Sequence, residues 1–566
     1  MSLISIYQVL PRLFGNTQEN VVENGSRSEN GTGKMNDFTL DVLSKIRQNG
    51  YTHIWYTGLI EHARCTADTE FGIAAGNPQI IKGKAGSPYA IVDYYDIDPD
   101  IAVSVPNRIL EFQQLVERTH KAGLKIIIDF VPNHVARQYH SDVKPETDFG
   151  INDHTEWNFS PLNDFYYTNE PLHLPQNSGT KVDYGFNPYV EEPAKVTGND
   201  QFSAYPSIND WYETVKLNYG VDYCNNGNRC FEPQPVVWQK MLDILCYWAE
   251  MGVDAFRCDM AEMVPVEFWN FAIARVKEKF PHIQFIAEVY NPMMYNEYIF
   301  HGGFDYLYDK VGLYDTLRNI ICFGSPAYTI THAWQKLCGI DAKMLRFLEN
   351  HDEQRIASPF FAGSATKAIP AMVVTATLNK GAVMVYFGQE FGENAAGVAG
   401  FSGNDGRTTI FDYYKVPTIQ RWFNKGKLNT DRLSADEVML SNFYKTLLSL
   451  VTTNKCFTDG DFYDLMWVNG GNADVSKIYA FLRHIDGKAM LVVVNFDNYN
   501  THNFNLIIPE HAWQTMNIPC DSDVELKPVF GVTESIKATA YATMHRGIGL
   551  SVGAMCGVIY SLSTED

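Results

Sequence analysis

Eight short apolar runs recur through residue 455, and helical periodicity separates most of them. The runs cover residues 4–10, 51–59, 124–131, 252–257, 283–288, 304–308, 344–349 and 382–388. Helical spacing is read over 37–49, 107–122, 234–251, 265–279, between 311 and 338, over 366–379 and over 436–452. In 107–122 the apolar positions Ile109, Phe112, Leu115 and Val116 fall on one helical face. Strands that are apolar throughout and alternate with helices belong to a parallel sheet covered on both faces. Eight such units close into a (β/α)8 TIM barrel, an α/β fold whose chemistry gathers at the C-terminal ends of the strands.

The rhythm is interrupted once. From His134 to Asp222 the chain is rich in Asn, Asp, Pro, Tyr and Phe and shows no clear helix. A stretch this long is too large for a loop and is read as an inserted subdomain after strand three. After residue 456 the pattern changes to short alternating strands such as Ile478-Tyr-Ala-Phe-Leu and Leu491-Val-Val-Val-Asn. The expected organisation is a barrel over 1–133 and 223–455, an insertion over 134–222, and a C-terminal antiparallel β-sandwich domain over 456–566.

Polar residues collect where the barrel strands end. Strand three ends Asp129-Phe-Val-Pro-Asn-His134 and strand four Arg257-Cys-Asp259. Strand five ends Glu288-Val-Tyr290 and strand seven Glu349-Asn-His351-Asp352. Side chains alternate along a strand, so Arg257 and Asp259 share a side. A carboxylate held by a guanidinium is expected to keep a low pKa and stay ionised. Glu288 follows Phe285-Ile286-Ala287, and neighbouring carboxylates are expected to hold it partly protonated. Glycosidic cleavage needs such a pair: an acid for the leaving oxygen and a carboxylate for the anomeric carbon or for water.

These stretches, with Tyr7-Gln-Val-Leu-Pro-Arg12 at the start, resemble the α-amylase family of retaining glycosidases, glycoside hydrolase family 13. The resemblance runs over nearly the whole chain. It implies that Asp259 is the nucleophile, Glu288 the acid/base and Asp352 the third carboxylate, which binds sugar hydroxyls. It further implies that Arg257 orients Asp259, that His134 and His351 bind hydroxyls, and that Tyr89 stacks beneath the sugar at the cleavage point. The implied activity is hydrolysis of α-1,4-glucosidic bonds in starch-like glucans or malto-oligosaccharides. Transglycosylases and cyclomaltodextrinases use the same residues and stand as the alternative. A non-catalytic sugar-binding relative is expected to lack one of the three carboxylates, and all three are here.

Two departures from the family pattern matter. Where many starch-cleaving members carry Lys-His, this chain has Met260-Ala-Glu-Met263. That is closer to the oligosaccharide- and cyclodextrin-acting branches and puts Glu262 on the expected acceptor side. Tyr205-Pro-Ser207 stands where relatives often have an aspartate after the proline, which argues against the usual structural calcium. Asn133 and Asp210 are the candidate oxygen ligands, and the chemistry itself requires no cofactor. Glu390, in Tyr-Phe-Gly-Gln-Glu after strand eight, reads as structural. The aromatics of the insertion (Trp157, Phe165, Tyr166, Tyr184, Phe186, Trp211) read mainly as its core, with one or two lining the groove.

Net charge is −21, so phosphate-bearing partners are repelled and nucleic acid is excluded as a partner. No apolar run is long enough to span a bilayer. The first residues lack a basic region and a cleavage site, so a cytoplasmic location is expected. Ten scattered cysteines suit reduced thiols, and Cys224-Asn-Asn-Gly-Asn-Arg-Cys230 is the one spacing suited to a small disulfide.

Overall fold

The computed structural model describes residues 3–180, 188–397, 399–401 and 403–564. Tyr184 and Phe186 therefore lie outside the described residues. Eight parallel strands close a barrel: β1 (Ser5–Val9), β2 (His53–Tyr56), β3 (Lys125–Phe130), β4 (Ala255–Cys258), β5 (Gln284–Ala287), β6 (Tyr306–Tyr308), β7 (Met344–Arg346) and β8 (Ala382–Tyr386). Each pairs with its sequence neighbour, and β1 returns to β8 with Ile6 opposite Met384. β3 shows why these segments are strands. Ile126, Ile127 and Ile128 are all buried, so the branched side chains pack on both faces of the sheet.

The outer layer includes α1 (Leu40–Gln48), α2 (Arg108–Lys121), α3 (Val236–Glu250), α4 (Val266–Lys279), α5 (Asp315–Phe323), α6 (Thr329–Gln335), α7 (Ile369–Thr377) and α8 (Ala435–Thr453). Thr39 caps α1 by accepting from the Val42 amide, and Ser434 with Glu437 forms a capping box at the start of α8. β7 stops at Arg346, so the expected strand end through Asp352 is irregular backbone. There Glu349 accepts from Arg355 and Asn350 from the Asp352 and Glu353 amides, while His351 and Asp352 reach the cavity at the barrel mouth.

The insertion leaves after β3 and is rooted by a short ribbon. His134–Ala136 pairs antiparallel with Thr214–Lys216, which sets His134 opposite Lys216. Phe165 and Tyr166 are buried in it, Trp157 is 48% exposed, and Trp211 is partly buried. The loop cysteines form no disulfide; all ten thiols are free. Val221–Asp222 pairs with Asn228–Arg229, so Cys224 sits in the turn and Cys230 beyond the second strand.

The C-terminal region is antiparallel. Its strands are β9 (Asp461–Asp464), β10 (Ile478–Ile485), β11 (Lys488–Asn495), β12 (His502–Leu506), β13 (Asp523–Phe530), β14 (Ile536–Thr539), β15 (Ile548–Val552) and β16 (Cys556–Thr564). Six form one sheet in the order β9-β10-β11-β16-β13-β14, and β12 pairs with β15. Arg483 of β10 is fully buried and donates to the carbonyl of Thr377 at the end of α7, at 2.8 Å, tying the sheet to the barrel.

Candidate active site

Strand alternation and tight turns after β3, β4 and β5 bring the sequence-marked residues to one cavity of about 570 Å³. Tyr89, His134, Asp259, Glu288, His351 and Asp352 line it. Arg257 does not. It is completely buried beneath the floor, where it is the hub of the site. Its two terminal nitrogens hold Asp259 Oδ1 and Glu288 Oε2, each at 2.7 Å. Its Nε donates to the Tyr308 hydroxyl at 3.1 Å, and Asp129 Oδ1 lies 3.6 Å away. The guanidinium fork therefore orients two carboxylates at once in a fixed plane, a geometry that a lysine's freely rotating ammonium does not impose.

The turn after β4 carries backbone strain. Met260 has φ +42°, a left-handed conformation that is costly for a residue with a side chain. The strain aims the Met260 amide at Glu288 Oε2, 2.8 Å away. The other oxygen of Glu288 accepts a hydrogen bond from the Tyr290 hydroxyl. On the opposite wall His351 links three groups. Its Nδ1 lies 2.8 Å from Gln8 Nε2. Its own Nε2 lies 2.6 Å from the Tyr89 hydroxyl and 3.0 Å from Asp352 Oδ2. The Tyr89 ring stacks on that imidazole with centroids 5.1 Å apart, and the Arg257 guanidinium lies 5.5 Å from its centre.

The electrostatics correct one expectation. The Asp259 carboxyl is held above its ordinary range, because burial together with Asp129 and Asp352 outweighs Arg257. Glu288 is also raised, first by burial and then by Asp259 and Asp352, against the pull of Arg257 and Tyr290. Asp352 moves the other way. Burial opposes its charge, but His351, Arg257 and Arg407 together bring it below the ordinary value. Burial pushes His134 down to about 4, so its ring is neutral near pH 7. A neutral imidazole both donates and accepts, as a hydroxyl ligand should.

Several wall residues carry no sequence signal of the kind used above. Phe401, Ile410 and Phe411 come from the irregular segment after β8, whereas Trp211, also on the wall, is one of the insertion's aromatics, of which one or two are expected to line the groove. Arg407 in the same segment donates to the backbone carbonyl of Asp352 at 2.7 Å. Gln8 and Asp129 were visible as polar residues on barrel strands, where inward-pointing positions reach the mouth. Glu262 lies off this cavity; its carboxylate accepts the Tyr290 and Asn291 amides at 3.0 and 2.9 Å and shapes that loop. Glu390 is buried and accepts from the Tyr7 hydroxyl, a structural contact.

The two candidate calcium ligands, Asn133 and Asp210, are both engaged by the chain itself. Asn133 Oδ1 accepts from the Lys216 ammonium at 2.8 Å, and that ammonium also meets Asp200 Oδ1 at 2.5 Å. Asp210 is occupied by the Asn199 side chain and the Ser207 amide. A fixed cation of the chain already takes the oxygen a metal would need.

The profile described as α-amylase, catalytic domain, matches residues 8–297 and 304–422. Alpha-amylase 3 of Dictyoglomus thermophilum is 23% identical over 442 residues, covering 75% of this chain and 77% of that one. Cyclomaltodextrinase of Thermoanaerobacter pseudethanolicus is 22% identical over 414 residues, 72% of this chain and 57% of that one. The α-amylase of Geobacillus thermoleovorans, solved with acarbose, superposes with a TM-score of 0.63 over 100% of this chain and 99% of that one at 18% identity. Barrel and profile together make the protein a glycoside hydrolase. The chain belongs to the α-amylase family. Among the described residues no helix is long and apolar enough to cross a membrane.

Proposed function

We propose that this enzyme hydrolyses α-1,4-glucosidic bonds of malto-oligosaccharides or starch-like glucans with retention at the anomeric carbon. The observation that carries the reading is the pair of carboxylates, Asp259 and Glu288, on the two nitrogens of one guanidinium. That sharing keeps them close neighbours, as the retaining separation of about 5–5.5 Å requires. The acarbose complex of the Geobacillus enzyme, a sugar-like ligand on the same fold, supports a glucan substrate.

In the first step Asp259 attacks the anomeric carbon, the glycosidic C–O bond breaks, and Glu288 gives its proton to the leaving oxygen. In the second step Glu288 takes a proton from water, the water oxygen bonds to the anomeric carbon, and Asp259 leaves. Arg257 supports both roles by holding both carboxylates. Asp352 stays anionic beside His351 and Arg407 and binds hydroxyls as positive charge develops on the sugar. His134 and His351 hydrogen-bond the hydroxyls, and Tyr89 supplies an aromatic face. The α configuration of newly released reducing ends, followed by NMR during cleavage, tests the reading. Appearance of the β-anomer first would overturn it.

A further inference from the structure

A second cluster of carboxylates lies away from the barrel mouth, where the Tyr89 loop meets the insertion. The short strand Ile60–His62 pairs antiparallel with Ile91–Ile97, which sets Glu61 opposite Asp93 with an irregular register on both sides. Asp96 stands on the same ribbon, and Asp142 arrives from the start of the insertion. Oxygens of Glu61, Asp93, Asp96 and Asp142 all lie within 4.8 Å of one another.

Three of the four are anchored. Asp93 accepts from the Ser141 hydroxyl at 2.8 Å and from the Tyr95 and Asp142 amides. Asp96 accepts from the Ile97 amide and from Arg108. Asp142 lies 3.5 Å from Arg108. Glu61 is different. It is 6% exposed, and Arg64 favours its charged form while pairing with Asp68 and Asp100 rather than with it. It lines a cavity of about 240 Å³ that Asp142 also lines. The other guanidinium on that wall, Arg137, is engaged with Glu191.

A buried carboxylate is costly, and three neighbouring carboxylates make its charge costlier still. Left alone it holds a proton: burial and then Asp96 push it up to about 9. We propose that Glu61, Asp93, Asp96 and Asp142 form a binding site for a hard divalent cation of the calcium class, entered through the cavity past Asp142. All four donors are oxygens, as such a cation requires, and no nitrogen or sulfur donor belongs to the set. The site is separate from Asn133, where Lys216 stands. A bound cation would tie the ribbon flanking Tyr89 to the root of the insertion and so fix one wall of the active-site cavity.

The test is calorimetric titration of chelator-stripped full-length enzyme with calcium chloride, with magnesium chloride in parallel. The expected result is one saturable site at up to millimolar calcium, weaker for magnesium. Binding should weaken about tenfold or more in Glu61→Gln and in Asp142→Asn. Absence of saturable calcium binding in the wild type, or wild-type affinity in either variant, would overturn the proposal. Asp142 has a side chain 51% exposed, so Asp142→Asn decides the matter should Glu61→Gln fail to fold.

Discussion

Removing the Tyr290 hydroxyl should move the alkaline limb of activity upward. That hydroxyl donates to Glu288 Oε1, the oxygen not held by Arg257. It favours the charged form of Glu288, as Arg257 and the Met260 amide do, while burial, Asp259 and Asp352 oppose that form. A hydrogen bond to a charged group is worth about 1.5–3 kcal/mol. Tyr290 borders the open cavity, so water replaces part of that bond and the lower figure applies. About 1.4 kcal/mol corresponds to one pH unit, so Tyr290→Phe should raise the apparent pKa of the acid by about one unit. The carboxylates interact, and the limb reports the group of three as a unit. The assay is kcat/KM against pH on a malto-oligosaccharide. The plateau should stay within a few-fold of wild type while the alkaline limb shifts up. An unmoved limb, or one shifted down, would refute the assignment of Glu288 as the proton donor under Tyr290's influence.

Other outcomes follow from groups outside the mouth. Glu390 is buried, and desolvation raises its carboxyl from 4.5 to about 7. The folded state therefore binds this proton more tightly, and its contribution to stability is lost as pH rises from about 4.5 through about 7. That displacement is worth on the order of 3 kcal/mol. Glu390→Gln keeps an acceptor for Tyr7, so its denaturation midpoint should gain on wild type across that window; parallel midpoints would contradict the account. Lys216→Met strips a buried ammonium from Asn133 and Asp200. Breaking such a pair costs about 3–5 kcal/mol, and the lower end applies because the Asp200 side chain is 34% exposed. A urea midpoint equal to wild type would show that Lys216 does not fasten the insertion.

The barrel was legible because its strands are apolar throughout and its helices keep their period. The chemistry was legible because alternation along β4 puts Arg257 and Asp259 on one side, and because Asp129 lies near the end of β3 while Glu288 and His351 follow β5 and β7. What lay beyond the sequence was set by long-range contacts. Phe401, Ile410 and Phe411 belong to an irregular segment with no period to read. Lys216 meets Asn133 only because the insertion returns beside its own start. The pKa of Asp259 departs from the pairwise expectation with Arg257 because burial, Asp129 of β3 and Asp352 beyond β7 all oppose its charge. The hold of the Glu262 carboxylate on the Tyr290 and Asn291 amides is another such long-range contact.

The central claim is the division of labour between Asp259 and Glu288, and covalent trapping tests it most directly. Glu288→Gln removes the proton donor with little change in volume. General acid help is worth roughly 10²–10⁴-fold, and an α-glucosyl fluoride does not need it. The variant should therefore fail on malto-oligosaccharides, still react with the fluoride, and accumulate a glycosyl-enzyme that lacks a base to release it. Mass spectrometry of the digested protein should find the sugar on the peptide carrying Asp259, and Asp259→Asn should give no adduct. A label on another carboxylate, or an adduct that persists in Asp259→Asn, would contradict the account.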